Sequence, residues 1–421
     1  MKVLQTERAS RGLLSVCRTF SCTIPWFFTM NSSISSSRDA RLDLLRLVAF
    51  FLLIACHTCD PFNAAATYSS GEANADFTRW GAIWGAVVRP CVPVFVMLTG
   101  ALLLGRSRAS LLLGRPVPMR CFYSRRIPRV LWPFLIWSCG YYLFPWVLGL
   151  LGFGADAVTL FFPWAETTDQ SFATALGRIV RIPCNFSYVA CHMWYIYMLL
   201  GLYLYLPIFD AWVSQATRRQ KSFVLVLWGL STFIPYITEF VSPYSFGTCD
   251  WNQYGLFYNF AGFNGYLLLG HYLRSYVRLP FCRALFMAVP LYAAGYVVNL
   301  LGYRHILTLE SPTPQQVELF WTYCTPNVLA QSLAVTLVCL SLPLRNMCRQ
   351  TWISSITRCG FGIYMLHYFF VGPAFWLVTA CMVPVSLRVP VSAVLVLAAS
   401  WSLVALLHRL LGPRLGRIVL G

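Results

Sequence analysis

The stretch Arg41-Leu42-Asp43-Leu44-Leu45-Arg46-Leu47-Val48-Ala49-Phe50-Phe51-Leu52-Leu53-Ile54-Ala55-Cys56-His57-Thr58-Cys59 decides the fold. Its apolar run is unbroken between Arg46 and His57. As a helix, residues 42–59 would be about 27 Å long at ~1.5 Å per residue, close to the ~30 Å hydrocarbon core of a bilayer. Further runs of this kind follow over 80–104, 130–150, 192–212, 223–241, 255–273, 284–303, 319–343, 359–380 and 389–407. The composition of the 421 residues agrees: 58% are hydrophobic and 11% charged, whereas a soluble domain carries about 25% charged residues. A disordered chain, a coiled coil and an ordinary soluble enzyme are excluded. A transmembrane β-barrel is excluded too, because its strands alternate polar and apolar over about 10 residues. The expected fold is all-α, a polytopic membrane helix bundle of about ten transmembrane helices.

The net charge is +18, and only 2 of the 32 basic residues are Lys. Placement explains the excess. Segments 1–41, 105–129, 213–222, 274–283, 344–358 and 408–421 would share one side and hold 25 Arg and Lys. The opposite segments hold 5, against nine Asp and Glu. The positive-inside rule then places both termini in the cytoplasm. The charge orients the chain and meets anionic lipid headgroups, so the bilayer is the expected partner and nucleic acid is not.

Residues 1–37 read as a cytoplasmic extension without stable structure. Their one apolar patch, Ile24-Pro25-Trp26-Phe27-Phe28, is short and broken by Pro, and a Ser-rich linker follows over residues 31–37. Met30, directly before that linker, reads as an alternative start. Residues 38–421 form the membrane domain. Its largest extramembrane pieces, 151–191 and 105–129, are too small to build a core alone. Any chemistry must occur within the bilayer or at its edge. Most of the sixteen cysteines lie in spans, while Cys184, Cys191 and Cys249 lie on the outer side, where they could pair.

Ionisable groups inside a bilayer are costly, so each one is a functional candidate. Arg46 and His57 are eleven residues apart, which is 1100° of helix, only about 20° past three full turns. They share one face about 16 Å apart. Asp43, three residues before Arg46, can pair with it. The bland alternative is a snorkelling Arg and a capping His. In the second span Arg89 falls between Val88 and Pro90, with Pro93 close behind, a local break that frees carbonyls to line a cavity. Thr99 and Gly100 suit close helix approach. Arg126 and Arg129 lie at i and i+3 before the third span, where guanidinium groups could grip a cytosolic phosphate; positive-inside decoration is the alternative. His192, Trp194 and His367 complete the candidates, with hydrogen-bonded packing as the alternative for both histidines. No metal-ligand spacing such as H-E-x-x-H occurs, and no metal is expected. Cys56-x-x-Cys59 could form an outer-face dithiol relay.

These segments, taken in order, carry a resemblance. The sequence resembles the acyltransferase-3 family of integral membrane acyltransferases over residues 38–421, and within it the subgroup of the enterobacterial-common-antigen O-acetyltransferase. The matching features are Arg46-x10-His57, Val92-Pro93-Val94-Phe95 continuing to Thr99-Gly100, Arg125-Arg126-Ile127-Pro128-Arg129, His192-Met193-Trp194 and Gly362-Ile363-Tyr364-Met365-Leu366-His367. Thr99 stands where the family usually has Ser, so the hydroxyl is kept. The resemblance implies transfer of an acyl group, usually acetyl, from acetyl-CoA or another acyl-CoA to a hydroxyl of an extracytoplasmic or lipid-linked cell-surface glycan. It implies a multi-pass protein of the bacterial inner membrane with glycan-assembly proteins as partners. His57 would be the general base or the transient acyl acceptor, supported by Arg46 and Asp43. Arg89, Arg126, Arg129, Thr99, His192, Trp194 and His367 would bind donor or substrate. The rival reading is a transporter or flippase for a glycan or small anion, with Arg89 as counter-ion.

Overall fold

The computed structural model describes residues 39–62, 75–105, 107, 119–163, 165–241, 254–344 and 351–421. The N-terminal extension with Met30, and Cys249, lie outside the described residues. The described chain is helical, with no strand among the described residues.

Helix α1 (Ala40–Thr58) starts at Asp39, whose carboxylate accepts from the Arg41 backbone N–H at 3.2 Å, satisfying one of the free donors of the first turn. Its buried residues include Leu42, Leu45, Ala49 and Leu53, spaced three and four apart. Helices α2 (Ala75–Val88) and α3 (Cys91–Leu103) follow as two parts of a single candidate span. Helix α4 (Met119–Leu150) is 32 residues long and tolerates Pro128, Pro133 and Pro145 inside it. Short helices α5 (Ala155–Phe161) and α6 (Phe172–Arg181) lead to α7 (Trp194–Gln215). Helix α8 (Arg218–Ser231) opens with a capping box, Thr217 and Gln220 satisfying each other's backbone N–H. Then come α9 (Ile234–Phe240), α10 (Asn264–Tyr276), α11 (Phe281–Ile306), α12 (Pro314–Glu318), α13 (Pro326–Ser341), α14 (Thr351–Leu366), α15 (Tyr368–Ala380) and α16 (Val385–Val419).

Among the described residues, 8 helices or merged helix runs are long and apolar enough to cross a membrane. The α14–α15 pair makes a ninth, bent by 84°. The protein is thus an all-α, multi-pass membrane bundle. The expected tenth span over 255–273 is not a full-length helix. Residues 254–263 form turns and a single 3-10 turn, which leaves α10 only 13 residues long. Composition alone counted both parts as one apolar run.

Helix α1 is central, packing on α2, α3, α13, α14 and α16. Its polar residues therefore face protein. Helix α11 is peripheral. Its buried stripe is Ala284, Ala288, Gly295, Asn299 and Tyr303, while Phe286 and Val289 are exposed. Small and polar residues meet the neighbours and large apolar ones meet lipid, as expected where helix association relies on close packing. Helices α3 and α10 cross backbone to backbone. A methyl group at Gly100 would collide with the Leu267 carbonyl, and one at Gly270 with the Met97 carbonyl.

Candidate active site

One helical turn separates Asp43 from Arg46 on α1, and the Arg46 Nη1 donates to Asp43 Oδ1 at 3.3 Å. Arg46 lines a cavity of about 300 Å³ together with Thr99 of α3, Arg126 of α4 and Arg358 of α14. Its remaining walls are largely apolar, among them Phe50, Phe95, Leu199 and Phe361. Thr99 Oγ1 donates to the Phe95 carbonyl at 2.9 Å, so its lone pairs are what it offers the cavity. Arg129 is exposed and is not part of this lining. Three residues turn a helix by 300°, which leaves Arg129 about 60° round from Arg126.

Tyr364 also lines the cavity. Its hydroxyl donates to the His192 carbonyl, and its ring lies 5.6 Å from that of His192 and 5.7 Å from that of His367. Behind it, three imidazoles converge. Ring centroids are 5.2 Å apart for His57 and His367, 5.1 Å for His192 and His367, and 6.3 Å for His57 and His192. Tyr141 and Tyr368 enclose them, with Tyr368 stacked on His192 at 4.9 Å.

Each histidine has a distinct hydrogen-bond state. His57 Nδ1 lies 3.0 Å from Asp60 Oδ2. In the neutral ring, this hydrogen bond puts the proton on Nδ1 and leaves the lone pair on Nε2. His367 sits at the corner between α14 and α15, and its Nδ1 lies 2.7 Å from the Tyr364 carbonyl. A carbonyl also only accepts, so His367 Nε2 likewise bears the lone pair, and it is buried without a partner. Among the described residues neither nitrogen of buried His192 reaches good hydrogen-bond geometry, and the Met365 backbone is the nearest acceptor. Unmet groups of this kind cost about 1–3 kcal/mol each. A cluster of three such rings can accept protons from a substrate hydroxyl. Among the described residues no set of three or more His, Cys, Asp or Glu is arranged to hold a metal ion.

Arg89 lies outside the cavity lining, at the break between α2 and α3. It is 8% exposed. Its guanidinium stacks on Trp321 at 4.1 Å, and its Nε donates to the Gly85 carbonyl at 3.0 Å. Gly85 leaves room for that indole, since a methyl group there would lie 2.7 Å from Trp321 Cζ2. No carboxylate pairs with Arg89 among the described residues. Its charge falls within electrostatic reach of Cys56, His57 and Cys91.

Of the residues singled out in the sequence, Arg46, Thr99 and Arg126 meet at the cavity, with Asp43 paired to Arg46. His57, His192 and His367 meet behind it. Trp194 stands apart, stacked on Tyr323 at 5.6 Å. Cys56 and Cys59 are buried free thiols, and Cys184 and Cys191 are also free. Asp60, Arg358 and the tyrosines 141, 364 and 368 were not singled out. Asp60 was legible, being three residues after His57 on the same turn.

The fold and this site define a multi-pass membrane protein with an arginine-lined cavity next to a cluster of three histidines. The acyltransferase-3 family, described as an acyltransferase domain, matches residues 39–405. That is most of the chain, so the protein belongs to this family and is a membrane acyltransferase. No curated protein and no solved structure gives a match.

Proposed function

We propose that the protein moves an acyl group, acetyl in the simplest case, from a cytosolic acyl-CoA to a hydroxyl of an extracytoplasmic or lipid-linked cell-surface glycan. One observation carries this reading. Arg46, Arg126 and Arg358, from three different helices, line one cavity, and Tyr364 in the same lining touches His192 and His367. Guanidinium groups recognise phosphate through two parallel hydrogen bonds. A polyphosphorylated donor with a thin, mostly apolar arm fits an arginine mouth and apolar walls. A bacterial inner membrane and glycan-assembly partners suit such an acceptor, in keeping with the enterobacterial-common-antigen subgroup.

In this reaction His57 Nε2 takes the proton of the acceptor hydroxyl as its oxygen attacks the thioester carbonyl. The new C–O bond forms, the C–S bond breaks, and the proton passes from His57 to the departing thiolate. Arg89 supplies positive charge near His57 for the oxyanion that develops. Asp60 holds the His57 ring and its tautomer, as the orienting acid of a triad does. Asp43 holds Arg46 at the donor mouth.

This orientation places both termini in the cytoplasm, which needs an even number of crossings. Among the described residues there are up to nine candidate spans, so on this reading α10 and the turns before it complete the tenth. Reporter fusions after Phe240 and Leu279 should then fall on opposite sides, and a shared side would sink the orientation. The reaction itself is tested with purified protein in liposomes. Acetyl-CoA should bind and be consumed only when a glycan acceptor is present. Absence of donor binding would overturn the reading.

A further inference from the structure

Helices α2 and α3 run as one 29-residue span, Ala75–Leu103, although Arg89 and Pro90 interrupt the helix. Pro90 has no N–H, so the Ala86 carbonyl four residues earlier loses its helical partner. Within a bilayer such a carbonyl must be satisfied by a neighbour. Gln331 of α13 does this, its Nε2 donating to the Ala86 carbonyl at 3.0 Å. The next carbonyl, that of Val87, accepts from the Tyr292 hydroxyl of α11 at 2.7 Å.

Gln331 is itself held. Its Oε1 accepts from Asn299 Nδ2 at 2.7 Å. Asn299 Oδ1 accepts from Asn327 Nδ2, and Asn327 Oδ1 accepts from the Tyr236 hydroxyl at 2.6 Å. The direction of the chain is fixed at two points. The carbonyls of Ala86 and Phe320 can only accept, so the amide nitrogens of Gln331 and Asn327 must face them. Every donor from Tyr236 onward therefore points toward Ala86. Aligned hydrogen bonds polarise one another, so the chain is stiffer than its separate links. Gln331, Asn299 and Asn327 are all buried.

Interhelical amide pairs commonly serve only as glue between membrane helices. This chain ends somewhere particular. It fixes the Ala86 peptide beside Gly85, and the Gly85 carbonyl holds Arg89 Nε. The geometry points to the Tyr236–Asn327–Asn299–Gln331 chain as the device that positions the Arg89 guanidinium over Trp321, within electrostatic reach of His57. Gln331 is thus a positioning residue, acting through Arg89. The inference rests on the reading of Arg89 as the cation of the acyl-transfer site.

The test uses purified full-length protein carrying Gln331→Leu, Asn299→Leu or Tyr236→Phe, the last removing only one hydroxyl. Arginine labelling by phenylglyoxal is followed by peptide mass spectrometry, with exposed Arg304 as internal reference. Arg89 should label several-fold faster in the Leu variants and about twofold faster in Tyr236→Phe, with Arg304 unchanged. Turnover should fall roughly tenfold while the acetyl-CoA KM stays the same. In an Arg89→Ala background, Gln331→Leu should cause no further loss. Unchanged Arg89 labelling in all three variants overturns the proposal. So does labelling that rises equally at Arg304, which marks the amides as general glue. Faster labelling of Arg89 with full turnover upholds the positioning and overturns the part given to Arg89 in acyl transfer.

Discussion

Helix α1 carries Arg46 and His57, and α14 carries Arg358 and leads to His367 at the corner that follows it; the two ends of this pair are built on opposite principles. At the arginine end, charge is plentiful and partly open. Arg46 is paired with Asp43, and Arg358 is exposed at the same cavity. At the histidine end the groups pack against Tyr141, Tyr364 and Tyr368, with His192 and His367 buried and His57 13% exposed. On the proposed function, the contrast separates two tasks. Holding a phosphorylated donor needs permanent cations that water can reach. Taking a proton from a hydroxyl needs a neutral lone pair shielded from water. About 16 Å of helix between Arg46 and His57 keeps the cations away from the lone pair that must take a proton.

The largest expected effect lies at the histidine end. His57→Gln keeps a polar side chain but cannot carry the proton, so turnover should fall by about 10² or more. Glycan acetylation at matched membrane levels reads this directly, and near-normal acetylation would dissolve the distinction between the two ends. Asp60→Asn should cost less, about tenfold, because the ring remains but its tautomer is no longer enforced. A greater loss for Asp60→Asn than for His57→Gln would make the carboxylate the base.

The arginine end should respond in another parameter. Arg126→Ala and Arg358→Ala should each raise the donor KM about tenfold, since a hydrogen bond to a charged group contributes about 1.5–3 kcal/mol. The turnover number should hold. Arg126→Lys should recover only part of the affinity, because the planar fork is lost. Arg129→Ala, exposed and off the cavity, should change the donor KM less than about twofold. Equal effects at Arg126 and Arg129 would return both to a topological role.

This contrast also shows what the sequence could reveal. Arg46 and His57 were legible because eleven residues bring them to one face, but the same stripe suggested direct support of His57 by Arg46. The structure gives each its own carboxylate, Asp43 and Asp60. Arg358 was hidden for the converse reason. It lies nine residues before His367, or 900°, which sets them on opposite faces of a straight helix. The 84° bend after Leu366 breaks that arithmetic. The amide chain was invisible because Asn299, Asn327 and Gln331 carry no charge and fit no local spacing. Apolar runs predicted most spans well, failing at 255–273, where hydropathy cannot register turns inside an apolar segment.

The smallest expected effect tests how the histidine end is closed from its loop side. Glu166, outside the spans, ties the loop before α6 to the residues just ahead of His192. It accepts from Ser187 Oγ at 3.0 Å and from the Tyr188 N–H at 2.7 Å, with Arg178 Nη2 at 3.3 Å. Partial burial alone would raise this carboxyl's pKa, but the Ser187 and Tyr188 hydrogen bonds and the Arg178 charge outweigh it and hold the group below the usual 4.5. A carboxyl held low in the folded state stabilises the fold above its unfolded pKa, and that contribution disappears as pH falls through the folded value. Glu166→Gln should therefore be less stable than the parent at neutral pH, and the gap should close on acidification below the ordinary carboxylate range. The side chain is 40% exposed, so the gap should stay under about 1 kcal/mol. Thermal unfolding of both proteins from pH 7 to pH 3 measures it. A gap that widens on acidification would mean that Glu166 is protonated more readily in the folded protein, and that the loop closes the histidine end through a neutral hydrogen bond instead of a charge.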